Sequence, residues 1–246
     1  MGKRNNEMGI LMNNNKAKKL RVIVLGGSGG VGCSVIKYLN RPEIDLLGTY
    51  FSNKPPIDEN INWYQLDTTS IKSLQAFFGE ISQLGNLDAV IDCTGVSQSS
   101  TFTEISFNEV QNIIQTNLVA SIWIAKLSLE FLSQGGLLLL FSSIVTKTNS
   151  KGAAIYSISK AGIEQSISAL ARDFIGKKKR INCIRLGYTE YGMQLTIKDS
   201  VMKNIESRIP ARRLGNISDL GFMIDYLLDQ RSDYANGTIL TLSGGI

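Results

Sequence analysis

Seven short runs along the chain are apolar nearly throughout: 21–26 (RVIVLG), 44–51 (IDLLGTYF), 62–67 (NWYQLD), 87–95 (LDAVIDCTG), 136–143 (GLLLLFSS), 181–187 (INCIRLG) and 238–244 (TILTLSG). Continuous hydrophobicity of this kind suits strands whose sheet is covered by helices on both faces. Between the runs lie stretches of helical periodicity. One helix is predicted to open at 106-SFNE-109, which has the S-x-x-E form of a capping box, and to continue through VQNIIQTNLVASIWIAKLSLEFL to a stop at Gly135-Gly136. Another spans Ala153 to Phe174, where small and apolar residues recur at helical spacing. Strand alternating with helix predicts a parallel sheet with right-handed crossovers, the doubly wound, three-layer αβα architecture. Sheets of this kind bind ligands at the carboxyl ends of their strands.

Composition narrows the picture. The 246 residues, 43% hydrophobic, are enough for one large α/β domain, and no repeat or long linker divides residues 20–246. No apolar run approaches the roughly 20 residues that cross a bilayer, so the protein is expected to be soluble and cytoplasmic, with no membrane partner. A good part of the net charge of +5 sits in the first twenty residues, MGKRNNEMGILMNNNKAKKL; residues 1–19 are expected to form a disordered basic tail with no nucleic-acid role. A second basic cluster, Lys177-Lys178-Lys179-Arg180, precedes the sixth run. The chain has no histidine, which excludes Ser-His-Asp hydrolysis and most zinc chemistry. Acid–base work falls to Tyr, Lys, Asp or Glu, and no metal site is expected. Cys33, Cys93 and Cys183 are far apart, each in or beside an apolar segment, and read as free structural thiols.

Two local patterns carry chemistry. The first strand is followed at once by 25-LGGSGGVG-32 and the helix VGCSVIKYL. Glycines in that place let the backbone turn sharply and approach a ligand, and the helix N-terminus offers unpaired N–H groups to a pyrophosphate. The second pattern lies in the Ala153–Phe174 helix, where Tyr156 and Lys160 are four residues apart and share one face. Ser143, thirteen residues before Tyr156, ends a strand, and Asn117 is an amide among apolar neighbours in the long helix.

The spacing Gly26-x-x-x-Gly30-x-Gly32, the set Asn117, Ser143, Tyr156 and Lys160, and the segments 92-DCTG-95, 209-IPARRLG-215 and 237-GTILTLSGG-245 occur in one order. Together they resemble the short-chain dehydrogenase/reductase family from Leu20 to Ile246, and within it the 3-oxoacyl-carrier-protein reductase branch. The resemblance implies a Rossmann-type fold and an oxidoreductase that reduces a ketone to an alcohol. Asn117, Ser143, Tyr156 and Lys160 would be the catalytic residues. A free phenol, with a pKa of about 10, is a poor acid or base at neutral pH, so the Lys160 ammonium would stabilise the phenolate of Tyr156. Tyr156 would donate the proton, Ser143 would bond the developing oxyanion, Lys160 would also hold the nicotinamide ribose, and Asn117 would position a relaying water. Gly26, Ser28, Gly29, Gly30, Val31, Gly32, Ser52, Asn53, Asp67, Thr68, Cys93, Gly95, Tyr156, Lys160 and Thr189 would bind the cofactor. The second strand ends Tyr50-Phe51-Ser52-Asn53-Lys54 without an acid to repel a 2′-phosphate, which favours NADP over NAD.

The chain departs from the family pattern at Leu25, where Thr is usual, at Asp92 and Cys93, at Leu186 in place of Pro, and at Tyr191 in place of the pyrophosphate-binding Thr. Thr189 could supply a substitute hydroxyl. The short segment 188–209 is read as a substrate lid, and the Lys177–Arg180 cluster as suiting an acidic acyl carrier protein or a coenzyme A phosphate. The expected substrate is a small-molecule or acyl-thioester ketone, and the expected assembly a homodimer or homotetramer. Enoyl reduction in this family uses a wider Tyr–Lys interval than the one here. The altered segments leave a second reading, a nucleotide-binding regulator or scaffold without turnover.

Overall fold

The computed structural model describes residues 19–53, 55, 60–98, 100–148, 150–191 and 199–246. Each of the seven apolar runs contains a strand: β1 (Leu20–Leu25), β2 (Ile44–Tyr50), β3 (Asn62–Gln65), β4 (Leu87–Asp92), β5 (Leu132–Ser143), β6 (Arg180–Leu186) and β7 (Ile239–Leu242). They form one parallel sheet in the order β3-β2-β1-β4-β5-β6-β7. The helices are α1 (Gly30–Leu39), α2 (Ile71–Ser82), α3 (Phe107–Ile114), α4 (Ala120–Phe131), the short α5 (Val145–Thr148), α6 (Ala154–Gly176), α7 (Asp199–Arg208) and α8 (Ile217–Leu228).

The pleat of each strand divides the core into two. Ile23 and Leu25 of β1, with Leu138 and Leu140 of β5, face Phe77 and Phe78 of α2, Ile124 of α4 and Ile163 and Phe174 of α6. Val22 and Val24, with Leu137, Leu139 and Phe141, face Val35 and Ile36 of α1 and Leu220, Ile224 and Leu227 of α8. Burial on both faces is why the runs read as continuous and not alternating. Because β1 lies between β2 and β4, the chain leaves β1 in one direction and returns on its other side. That reversal opens a crevice at the carboxyl ends of β1 and β4.

The long helix differs from its prediction in three places. Its start is capped as expected, Ser106 Oγ accepting from Glu109 N at 3.2 Å, but the Glu109 carboxylate accepts from Ser100 Oγ at 2.7 Å. Around Asn117 it is interrupted by a π-helical turn, Gln115–Val119, between α3 and α4. It ends at Phe131, before the glycines, because Leu132 is already in register with Leu87. The expected basic tail lies, but for Lys19, outside the described residues, as do Lys54 and residues 192–198 of the expected lid. No helix among the described residues is long and apolar enough to cross a membrane.

Candidate active site

The turn after β1 is built by close backbone approach. Gly26 has φ +68°, and a Cβ at Gly32 would lie 2.1 Å from the Gly26 carbonyl oxygen, so no side chain fits there. Where Leu25 leaves the turn without a hydroxyl, Thr49 of β2 provides one, accepting from Gly26 N at 3.0 Å. The first turn of α1 carries no acid, so its N–H groups face the crevice unopposed. A cavity of about 600 Å³ runs from Gly26, Ser28 and Gly29 past Ser52 and Asn53 at the end of β2, then past Asp67 and Thr68, to Cys93 and Gly95. Asp67 Oδ1 accepts from the backbone and hydroxyl of Thr69 at 2.9 and 2.6 Å, which fixes the carboxylate at the cavity wall.

A smaller cavity of about 100 Å³ continues from Cys93 and Gly95 along the same edge, lined by Val31, Ser143, Tyr156, Lys160, Thr189 and Tyr191. It brings together three of the four residues expected to be catalytic. Tyr156 and Lys160 face it from α6, with the lysine Nζ 5.9 Å from the centre of the phenol ring. Lys160 is buried, and its Nζ donates to Phe141 O at 3.0 Å, which aims the ammonium at the end of β5. Ser143 is the last residue of that strand, and its Oγ accepts from Val145 N at 3.4 Å.

The fourth residue, Asn117, is fully buried one layer behind. Its Oδ1 accepts from Val96 N at 2.8 Å, and its Nδ2 donates to Val96 O at 2.9 Å and to Ser159 Oγ at 3.2 Å. A Cβ at Gly95 would sit 3.3 Å from Asn117 Oδ1 and 3.6 Å from Lys160 Nζ, so the amide, the glycine and the ammonium are neighbours. The Asn117 side chain thus holds the Gly95–Val96 backbone, and the π turn is what brings an amide inward at a place where a regular helix would continue its apolar face.

Of the departures from the family pattern, Asp92 finds structural partners and the Tyr191 hydroxyl finds none among the described residues. Asp92 is 3% exposed; its Oδ1 accepts from Thr94 N and Oγ1 at 3.0 and 2.5 Å, and its Oδ2 from Ser121 Oγ at 2.8 Å. The carboxylate is therefore spent on tying the end of β4 to α4. Burial, and after it the nearby Asp92, pushes the Cys93 thiol well up, and burial pushes that of Cys183 up to about 12, so both are held as neutral thiols. The Thr189 hydroxyl donates to Tyr191 O at 2.5 Å inside its own turn. The Tyr191 hydroxyl is buried with no hydrogen-bond partner among the described residues, and burial raises its pKa strongly.

An orphaned polar atom at the cavity wall, a glycine cradle that a Cβ would fill and a helix N-terminus free of acids fit a dinucleotide with its pyrophosphate at α1. The family model described as "Enoyl-(Acyl carrier protein) reductase" matches residues 28–246. The chain is a short-chain dehydrogenase/reductase. It is 26% identical over 242 residues to the acetoacetyl-CoA reductase of Allochromatium vinosum, covering 91% of this chain and 97% of that one. It is 23% identical over 240 residues to the 3-oxoacyl-[acyl-carrier-protein] reductase of Chlamydia pneumoniae, covering 92% and 96%. In fold it superposes on the ligand-free aldohexose dehydrogenase of Thermoplasma acidophilum with a TM-score of 0.83, at 19% identity and covering 93% and 94% of the two chains.

One expectation for this short-chain dehydrogenase/reductase is narrowed. The Lys177–Arg180 cluster runs into the first residue of β6 and so lies at the amino edge of the sheet, away from the two cavities described above. Lys179 and Arg180 are only 8% and 5% exposed. Lys179 Nζ donates to Leu129 O at 2.6 Å and Glu130 O at 3.2 Å, at the end of α4. Arg180 donates to Leu227 O at 2.8 Å, at the end of α8, and to the Ser232 hydroxyl and carbonyl at 2.8 and 3.2 Å. Lys179 and Arg180 thus satisfy groups at helix ends, while Lys177 and Lys178 stay exposed. Sequence reasoning also missed Thr49 and Glu164, whose roles depend on contacts between distant segments.

Proposed function

We propose that the protein is an NADP(H)-dependent reductase that converts a ketone to an alcohol, with 3-oxoacyl thioesters as its substrate class. The observation that carries this reading is the convergence of Ser143, Tyr156 and Lys160 on one small cavity that opens from the larger one behind the glycine turn. The reduced nicotinamide supplies the hydride that reaches the carbonyl carbon. Tyr156 gives its phenolic proton to the carbonyl oxygen, and Ser143 hydrogen-bonds the same oxygen as charge develops on it. Lys160 spends one of its three N–H donors on Phe141 O; the others serve the phenol side and the nicotinamide ribose. Asn117 keeps the Gly95–Val96 turn against the lysine, beside which it would position the relaying water.

Ser52 and Asn53 bring no carboxylate from the end of β2 to the larger cavity, which supports NADP over NAD. The four-residue Tyr–Lys interval supports ketone over enoyl reduction, and the names of the similar reductases support a thioester carried on coenzyme A or on an acyl carrier protein. Residues 20–246 act as one catalytic domain. Ile122 of α4 and Ile158 of α6 are exposed, which supports a homo-oligomer.

The test is acetoacetyl-CoA reduction by the Tyr156→Phe variant. The rate is expected to fall about 10³-fold or more, while NADPH still quenches the emission of Trp63, which packs against Gly27 of the cofactor turn. A variant that keeps the wild-type rate refutes the assignment, and NADPH binding without turnover of any ketone by the wild type would favour a scaffold.

A further inference from the structure

The helix that carries Tyr156 begins without a cap of its own. Ala153 at its N-cap offers no side-chain oxygen, and its first turn has no acid. The N–H groups of Ile155 and Tyr156 are the second and third of the helix, those an N-cap side chain ordinarily satisfies. Both are met from outside. Gln98, in the segment that follows β4, accepts from Ile155 N at 2.8 Å and from Tyr156 N at 3.2 Å through its Oε1. Its Nε2 donates to Ser100 O at 2.7 Å, which fixes the direction of the amide, and Ser100 Oγ donates to Glu109 Oε1 on α3 at 2.7 Å. A chain of hydrogen bonds thus runs from the backbone of Tyr156 through Gln98 and Ser100 to the helix that leads into the Asn117 turn.

We propose that Gln98 is a positioning residue for Tyr156, a cap lent to the α6 N-terminus by the β4 loop. The inference rests on the reading of Tyr156 as proton donor. The cap fixes the backbone from which the phenol projects. As a neutral amide it also satisfies the two N–H groups without cancelling the positive end of the helix, a field that favours a phenolate. The other groups that act on the phenol are the Lys160 ammonium on its own helix, 5.9 Å from the ring, and Cys93 and Tyr191 in the wall of the same cavity.

Two variants separate position from charge. Gln98→Ala removes the acceptor, and Gln98→Glu keeps it but adds an anion and loses the N–H donor to Ser100 O. Both are assayed against wild type by NADPH reduction of acetoacetyl-CoA and by oxidation of 3-hydroxybutyryl-CoA across pH, with NADPH affinity from tryptophan quenching and folding from circular dichroism. Gln98→Ala is expected to lower kcat about 10- to 100-fold with NADPH affinity unchanged. Gln98→Glu is expected to recover part of that loss, since Oε1 still caps while the bond to Ser100 O is gone, and the pH at which its oxidation rate rises moves up by about half a unit to one unit. The proposal is overturned if Gln98→Ala keeps kcat within about twofold, or if the pH profile of Gln98→Glu superposes on that of wild type. Should Gln98→Ala fail to fold, the profile of Gln98→Glu decides alone. A wild type that turns over no ketone overturns the reading of the whole site as well, which is told apart from a failure confined to Gln98 by the wild-type rate itself.

Discussion

The corner that delivers Ser143 to the cavity is held by one ion pair, and its strength can be measured. Glu164, one helical turn beyond Lys160, has a side chain 11% exposed against 13% for Arg185 of β6. Its Oε1 accepts from Ser142 Oγ at 2.7 Å, Thr146 Oγ1 at 2.9 Å and Arg185 Nε at 2.7 Å, and its Oε2 accepts from Arg185 Nη2 at 2.7 Å. Arg185 Nη1 goes on to Thr241 at 2.9 Å. Burial alone would raise the Glu164 pKa, but the Arg185, Ser142 and Thr146 hydrogen bonds outweigh it and hold the carboxyl below its ordinary 4.5. In Glu164→Gln one oxygen can still accept from Ser142 and Thr146, while the new amide N–H₂ meets the Arg185 guanidinium donor to donor. Breaking a fully buried pair costs about 3–5 kcal/mol and an exposed one under about 1, so this nearly buried pair should cost about 2–3 kcal/mol. Urea unfolding of Glu164→Gln, Arg185→Met and the double variant gives the coupling directly, expected at about 2 kcal/mol near pH 7. The sign with pH follows from the lowered pKa: the stabilisation is present above the unfolded value of 4.5 and is lost as pH falls below it through the folded value. A coupling under about 0.5 kcal/mol, or one that is unchanged at pH 3.5, refutes the account of this corner.

Two further substitutions test the remaining assignments. Tyr191→Phe removes a buried hydroxyl that has no partner among the described residues of the unliganded chain, so it should stabilise that state by about 1 kcal/mol. The same change should weaken NADPH binding about 5- to 10-fold if the hydroxyl serves the dinucleotide; thermal unfolding with and without NADPH reads both effects, and equal shifts in the two conditions would sink the idea. Arg180→Met strips three hydrogen bonds from helix-end groups and should cost about 3 kcal/mol in urea unfolding. Lys177→Ala, at an exposed position of the same cluster, should cost less than about 0.5 kcal/mol and leave the KM for acetoacetyl-CoA unchanged; a KM raised severalfold would restore the cluster as a docking site.

The sheet was legible because its signal is local. A strand buried on both faces must be apolar at consecutive positions, as β1, β2, β4, β5 and β6 largely are, while the edge strands β3 and β7 are only part-buried. The helix from Ala153 was legible for the same kind of reason, and the Tyr156–Lys160 interval survives folding because an i, i+4 pair on a helix has only one geometry. Asn117 stood out as an amide in an apolar context, but sequence gave no sign that the backbone would open into a π turn there. The S-x-x-E capping box was half right: Ser106 caps, while Glu109 turns to Ser100. Gln98 and Glu164 could not be found at all, since the groups they serve lie 57 and 58 residues away for Gln98 and 18 to 22 residues away for Glu164. The single hint was negative, a helix starting at Ala153-Ala154 with nothing of its own to cap it.

The basic cluster shows a polarity argument that the strand pattern already contained. In a parallel sheet every residue just after a strand lies at the carboxyl edge and every residue just before one at the amino edge. Gly26, Ser28, Gly29, Asp67, Cys93–Gly95 and Thr189 follow strands, Ser143 ends one, and the cavities gather them. Lys177–Arg180 precedes β6, on the edge where α4 and α8 end their last turns and leave carbonyls unpaired. A cation at that edge meets an acceptor already in place, and holding the helix ends against β6 requires no ligand. Charge alone suggested an acidic partner; charge together with strand direction assigns two of the four cations to the frame of the fold, and leaves the proposed chemistry to the carboxyl edge where Ser143 and Tyr156 stand.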